Sequence, residues 1–189
     1  LWRIILNNNL PEIYITTARL VLRPLQEADL ASFAEYRSDP EVARYQSWTA
    51  PFSMKQAKLF LDKMNQEAGM PGAWLQLGIE RQSEPGLIGD CAFHILEEDS
   101  QQGEIGFTFS RAHQKQGYAT EAVRALLAYL FGELKLHRVT AICDAENLAS
   151  ARLLERVGMR REGTYVENIW FKGAWGSEFL YAMLAREFR

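Results

Sequence analysis

Apolar and polar positions change period several times along this chain, and each change marks an element. Arg19-Leu-Val-Leu-Arg-Pro24 alternates charged with apolar residues and stops at a proline, the form of a first strand. A helix is predicted next, with Leu30, Phe33, Ala34 and Arg37 on one face and Ser38-Asp39-Pro40 ending it. Ser53-Met-Lys-Gln56 has the S-x-x-Q form of a capping box. It opens a second helix through about Gln66, with Ala57, Phe60, Leu61 and Met64 in one stripe. Three strand-like runs follow: Trp74 to Glu80, Leu87 to Ile95 and Glu104 to Ser110. Gln82-Ser-Glu-Pro-Gly86 and Glu97-Glu-Asp-Ser-Gln-Gln-Gly103 separate them with turn chemistry, so an antiparallel meander is predicted.

The period then shifts. Ala119, Ala122, Val123, Leu126, Leu127, Leu130, Phe131 and Leu134 recur three and four residues apart, the spacing of a helix with one buried stripe. Arg138 to Asp144 reads as a strand and completes a β-loop-α-β unit. Leu148 to Val157 predicts a shorter helix, with Asn147 as N-cap and Gly158 as the left-handed residue after it. The chain closes with strand-like Tyr165 to Lys172, a turn at Gly173-Ala-Trp-Gly176, and Phe179 to Leu184. There is no internal repeat and no linker. The expectation is an α/β (α+β) fold of mixed sheet and about four helices, with residues 13–189 as a single domain and 1–12 as a loosely held leader, natural or a remnant of expression.

Composition narrows the classes. The chain has 189 residues, 48% of them apolar, and a net charge of −3, enough for one domain with its own core. Charged residues at 24% and six prolines argue against disorder. No stretch approaches the roughly 18 apolar residues of a membrane span, and a slightly acidic chain is no nucleic-acid coat. Cys91 and Cys143 lie in separate apolar runs and read as buried thiols of a reducing cytoplasm, the expected location. His94, His113 and His137 are scattered, so no metal site is expected. His113 and His137 read as surface residues flanking the long helix.

Candidate chemistry concentrates in His113-Gln-Lys-Gln-Gly-Tyr-Ala-Thr-Glu121. A glycine-bearing loop entering a helix leaves several backbone N–H groups unpaired at the positive end of the helix dipole, an arrangement suited to an anion. From Arg111 to Arg138 there are five bases against two acids in a chain of net charge −3. The loop lacks both the Gly-Lys-Ser/Thr of a nucleotide P-loop and the G-x-G-x-x-G of a dinucleotide site. What it has is Gln114-x-x-Gly117-x-Ala119, a pattern whose weight comes from the strand before it and the helix after it.

With these features, and with Thr17 to Pro24, Asp39-Pro-Glu-Val42, Asn147 to Gly158, Trp175 and Tyr181, nearly the whole chain resembles the GNAT N-acetyltransferases, most closely their ribosomal-protein N-terminal acetyltransferase branch. The resemblance implies a mostly antiparallel sheet that splays between its fourth and fifth strands, at Glu104 and Arg138, with acetyl-CoA in the cleft. It implies that pantetheine pairs with the strand around Phe107, Thr108 and Phe109. The pyrophosphate would sit on Gln114, Lys115, Gln116, Gly117, Tyr118 and Ala119, with Thr120 beside them, and Asn147 would face the pantetheine.

Glu104 matches the family's catalytic glutamate across a loop one residue shorter; without that match it would be a solvated strand-end carboxylate. The oxyanion would be held by a backbone N–H between Phe107 and Phe109. Leu154 stands where many members have the tyrosine that protonates the leaving thiolate, which leaves Ser150; a purely local role for Ser150 in the first helical turn is the other reading. Ser177 replaces the branch's usual aspartate after the Trp-containing turn. Trp48, Trp74 and Tyr165 are expected around the acceptor, and Trp170 and Trp175 read as core or groove walls. The implied activity is acetyl transfer from acetyl-CoA to a primary amine, first of all the N-terminal α-amine of a ribosomal or other protein. A small-molecule amine (polyamine, amino acid or aminoglycoside) or a non-catalytic acyl-CoA-binding module are the alternatives. No metal, nucleic acid or membrane partner is expected, and the protein would be a monomer or homodimer.

Overall fold

In a computed structural model describing residues 13–68 and 70–189, the leader lies outside the described residues. The alternation at Arg19 to Pro24 becomes β2 (Leu20–Pro24), which buries Leu20 and Leu22 and pairs with a two-residue β1 (Ile15–Thr16). The meander forms as β3 (Leu75–Arg81), β4 (Glu84–Ile95) and β5 (Gln102–Phe109), followed by β6 (Arg138–Asp144), β7 (Arg160–Phe171) and β8 (Ala174–Leu184). All eight strands make one sheet in the order β1-β2-β3-β4-β5-β6-β8-β7.

Among the described residues five α-helices accompany the sheet: α1 (Leu30–Arg37), α2 (Pro40–Ala43), α3 (Met54–Glu67), α4 (Tyr118–Gly132) and α5 (Leu148–Arg156). The stripe of α4 is wholly buried at Ala122, Val123, Leu126, Leu127 and Leu130, in a cluster that also takes Leu153 and Leu154 of α5. A separate cluster joins Phe33 of α1 to Ala57, Leu61 and Met64 of α3, with Leu25 and Leu87. The Ser53–Gln56 capping box forms, and Gly158 takes φ +97° after α5. The four-residue α2 has no apolar period to announce it; Asp39 caps it by accepting from the Glu41 N–H, with Pro40 in the first turn.

Two turns differ from expectation. Lys172 and Gly173, at φ +49° and +93°, make the last hairpin's turn alone. Such a two-residue turn matches the strand twist, so Ala174 to Gly176 belong to β8; at its other end β7 starts at Arg160, where it pairs with Ala182. Likewise β4 begins at Glu84, because register shifts around Glu80 absorb Pro85 and Gly86 into the strand. Among the described residues no helix is long and apolar enough to cross a membrane.

The sheet has one parallel junction, between β5 and β6, spanned by α4. It pairs at three positions only: Gln102 with Arg138, Gly103 with Val139 and Glu104 with Thr140. Beyond Glu104, β5 continues against β4 to Phe109 while β6 continues against β8 to Asp144. The two arms therefore part at Glu104.

Candidate active site

Strand alternation fixes what faces the opened cleft. The Leu96 N–H donates to the Gln102 carbonyl and the Ser110 N–H to the Ile88 carbonyl, each 2.9 Å, so the even-numbered peptide groups of β5 point toward β4. Pairing between β4 and β5 runs without a register shift, so the odd-numbered groups point the other way. The Gly103 carbonyl accepts from Thr140 Oγ1, and the Phe109 carbonyl from Gln114 Nε2 at 3.0 Å. Between them Ile105 and Phe107 present backbone donors and acceptors to the cleft where β6 has left. An unpaired strand edge inside a protein calls for an occupant that supplies complementary groups.

Glu104 sits where the arms part, as the third residue of β5 rather than its first. Its Oε2 lies 3.8 Å from His94 Nε2, an ion pair only when the imidazole is protonated. The His94 ring rests on Trp74 at 4.3 Å.

The Gln114 to Ala119 loop ends at Gly117, the N-cap of α4, at φ +82° and with no side-chain cap. The first helical bond runs from the Glu121 N–H to the Gly117 carbonyl, so the Tyr118, Ala119 and Thr120 N–H groups precede the helical ladder. Those donors fit an anion. Lys115, also left-handed at φ +60°, is exposed beside them, and Gln116 ties the loop by donating to the Ala112 carbonyl at 3.0 Å.

Arg19 braces this loop from β2's leading end. Its Nη1 donates to the Gln116 carbonyl at 3.1 Å, its Nε to Glu121 at 2.7 Å, and its guanidinium covers the Tyr118 ring at 4.5 Å. Thr17 Oγ1 also donates to Glu121, at 2.6 Å. Burial would raise the Glu121 carboxyl, but the hydrogen bonds from Thr17 and Arg19 outweigh it and hold the group below its ordinary 4.5. A Cβ on Gly117 would come within 3.3 Å of Arg19 Nη2. In space this edge is less basic than its sequence suggests. Arg111 pairs with Asp39 at 2.8 Å, Arg138 pairs with Glu162, and Arg124 reaches the Arg189 backbone oxygen.

Across the cleft, Asn147 caps α5 by accepting from the Ser150 N–H at 3.1 Å. Ser150 is half-buried in that first turn. Leu154 is 1% exposed and belongs to the core.

A pocket of about 450 Å³ opens beside β5. Trp48, Trp74, Phe107 and Thr108 line it, as do Arg37, Gln76 and Asp90, which the sequence reading had not assigned to a site. Tyr165, Asn147 and Ser150 lie outside that lining: Tyr165 of β7 pairs with Glu178 of β8 and is 42% exposed. Trp170 and Trp175 are not core either, at 61% and 59% exposed, and pack edge to face on each other. Ser177 Oγ accepts from the Glu167 N–H at 2.9 Å, bracing the same hairpin. His137 is exposed and His113 half-buried, its imidazole lowered chiefly by burial.

The pocket floor is polar and closed. Asp90, 1% exposed, accepts from Tyr36 Oη, Gln76 Nε2 and Arg37 Nη2. Burial, then the Asp90 charge, holds the Tyr36 phenol well above its ordinary value, so it stays a donor. A signal for this floor was present in the sequence: Arg37 sits on the apolar face of its helix and Asp90 inside an apolar strand, both places where a charge needs a partner.

The chain as a whole is similar to known proteins. The chain is 34% identical over 93% of its length, and 99% of the relative's, to the uncharacterized N-acetyltransferase YnaD of Bacillus subtilis (strain 168). It is 27% identical, over 93% of both chains, to the [ribosomal protein uS5]-alanine N-acetyltransferase of Escherichia coli (strain K12). Among solved structures it is similar to the acetyltransferase (GNAT family) from Bacillus anthracis, with a TM-score of 0.82 and 33% identity over 93% of this chain and 100% of that one. Residues 19–160 match the acetyltransferase (GNAT) domain, and the chain belongs to that family of acetyl-CoA-dependent N-acyltransferases.

Proposed function

We propose that this protein transfers the acetyl group of acetyl-CoA to the N-terminal α-amine of a ribosomal or other protein, by direct attack in a ternary complex. The observation that carries this reading is the open edge of β5, whose Phe107 peptide group faces the cleft where β6 has left, with the pocket lined by Gly106, Phe107 and Thr108 directly beside it. Acetyl-CoA supplies the thioester. Ile105 and Phe107 offer its pantetheine a strand edge, with Asn147 facing it from α5. The Tyr118, Ala119 and Thr120 N–H groups, with Lys115, hold its pyrophosphate.

An α-amine, with an ordinary pKa of about 8, is largely protonated at neutral pH and must lose that proton before it attacks. Glu104 is the base in this reading, reached from the pocket wall along Trp74 and His94. The Phe107 N–H stabilises the oxyanion. Ser150 protonates the leaving thiolate, since Leu154 carries no proton to give. A protein terminus is favoured over a polyamine by the pocket's charge balance: Arg37 and Lys63 offset Asp90 and Glu67, leaving no excess of carboxylates. The uS5-alanine relative supports the same choice.

Thiol release from acetyl-CoA with a panel of N-terminal peptides and small amines tests the reading. Turnover of peptides is expected; CoA binding with no turnover on any amine would overturn it in favour of a non-catalytic acyl-CoA-binding module.

A further inference from the structure

The pocket floor has an imbalance of hydrogen-bonding groups. An ionised carboxylate offers about four acceptor sites. Asp90 fills its own: Oδ1 accepts from Gln76 and Arg37, and Oδ2 from Tyr36 and Arg37. Arg37 is the opposite case. A guanidinium carries five N–H donors, yet only Nη2 reaches Asp90, at 3.2 Å, and Nε has no partner among the described residues. The group is 4% exposed and lies between the Phe33 and Trp48 rings, 4.0 and 3.9 Å from their centroids, with Phe60 at 5.1 Å. Trp48 is itself held by its Nε1 donating to the Arg37 carbonyl at 3.0 Å. Aromatic faces steady a cation but accept few hydrogen bonds, so the guanidinium as a whole has more donors than acceptors, and Arg37 is one of the residues that line the pocket.

We infer that Arg37 is a specificity-determining residue that receives an oxygen of the acceptor, a carboxylate or a chain carbonyl near the reacting amine, so that the substrate class is an α-amino acid or peptide terminus. The inference rests on the acetyltransferase reading and gives it a recognition element. Asp90 stands directly across from Thr108 of β5, one strand spacing of about 5 Å from the cleft edge. An α-amine and its own carbonyl are close enough to occupy the cleft edge and the floor together. A polyamine brings only donors to a floor whose carboxylate is already saturated, and gains nothing there.

The test uses a matched set of small primary amines: alanine, alaninamide and an alanine-initiated tripeptide, which share the alanyl α-amine, and ethylamine, which lacks the oxygen, with spermidine as the polycation. Wild type should prefer at least one oxygen-bearing member over ethylamine and spermidine in kcat/KM. In Arg37→Lys, which keeps the charge but loses the planar fork, that preference should fall at least tenfold while KM for acetyl-CoA holds. The comparison between enzymes cancels the different basicities of the amines. Should Arg37→Lys fail to fold, Arg37→Met with Asp90→Asn leaves no buried charge unpaired and gives the same readout. A best rate with alanine assigns a carboxylate, and a best rate with the amide and tripeptide assigns a chain carbonyl. A preference unchanged by substitution, or wild-type turnover of spermidine equal to the best acceptor, overturns the inference while leaving the acetyltransferase intact. CoA binding with no turnover of any amine removes the underlying reading, and the inference with it.

Discussion

At the scale of single residues, position in the sheet decides what a side chain can do. Glu104 is the last residue of β5 to pair with β6, so its carboxylate stands at the apex of the cleft with His94 3.8 Å away. As the base, its replacement in Glu104→Gln should lower kcat by about 10²-fold, the usual worth of positioned proton transfer. The rate of the variant should then rise with pH, following the free amine alone. Steady-state rates across pH check this, and full activity throughout would remove Glu104 from the mechanism. Gly117 tests the other ligand end: at φ +82° a side chain is strained and meets Arg19, so Gly117→Val should weaken CoA binding about tenfold or more, read by calorimetry. Gly117 could be singled out from the sequence by a local signature, a glycine before an amphipathic helix, whereas Glu104 stands out only by its match to the family's glutamate, since a strand-end carboxylate by itself reads as solvated. The Arg37–Asp90 pair could not be read as a pair: its members are far apart in sequence and meet only when α1 packs against β4.

Elements with a strong apolar period were the legible part of the fold. α4 and α5 lie where the spacing places them, and the β3-β4-β5 meander forms, because one buried face dictates each of them. The ends of strands were less legible. The Lys172–Gly173 turn depends on two residues adopting φ > 0, which lysine does not advertise. The junction of β2 with α4 was also invisible, since Thr17, Arg19 and Glu121 become a clamp only through long-range folding. That clamp steadies the helix start proposed to hold pyrophosphate. Arg19→Met should raise KM for acetyl-CoA severalfold and leave KM for the acceptor unchanged. Glu121 gives the pH dependence. Its carboxyl is depressed in the fold, so the stability it contributes is present above its ordinary 4.5 and is lost as pH falls through the lower folded value. Glu121→Gln should therefore be less stable than wild type at pH 7 by on the order of 1 kcal/mol, or about 2–4 °C in Tm, the size discounted for a half-exposed Arg19 partner. The gap should narrow on acidification below pH 4; an equal gap at pH 7 and 3.5 would deny the ion pair its part.

Across the whole molecule, a split sheet raises a mechanical question: what holds its two arms at a fixed separation on the acceptor side? Segment 39–48 answers it by touching elements beyond the cleft. Asp39 pairs with Arg111 after β5, Arg44 approaches Glu146 before α5, and the Ala43 and Trp48 carbonyls accept from Lys172 at 2.6 and 2.8 Å. Lys172 is the strongest of these ties, because one ammonium satisfies the last carbonyl of α2 and the backbone of a pocket-lining tryptophan together. Removing the tie in Lys172→Met should let the β7–β8 turn leave the pocket wall. KM for the acceptor should rise severalfold while KM for acetyl-CoA, bound at the far loop, stays fixed, and hydrogen exchange should quicken at residues 43–48. Loss of these bonds should cost on the order of 1 kcal/mol. Burial also holds the Lys172 amine below its ordinary 10.5, so just beneath that value the unfolded chain binds the extra proton. Wild type should accordingly gain stability over the variant as pH rises through that window. An acceptor KM and an exchange rate both untouched by the substitution would mean that the arms keep their separation without this contact.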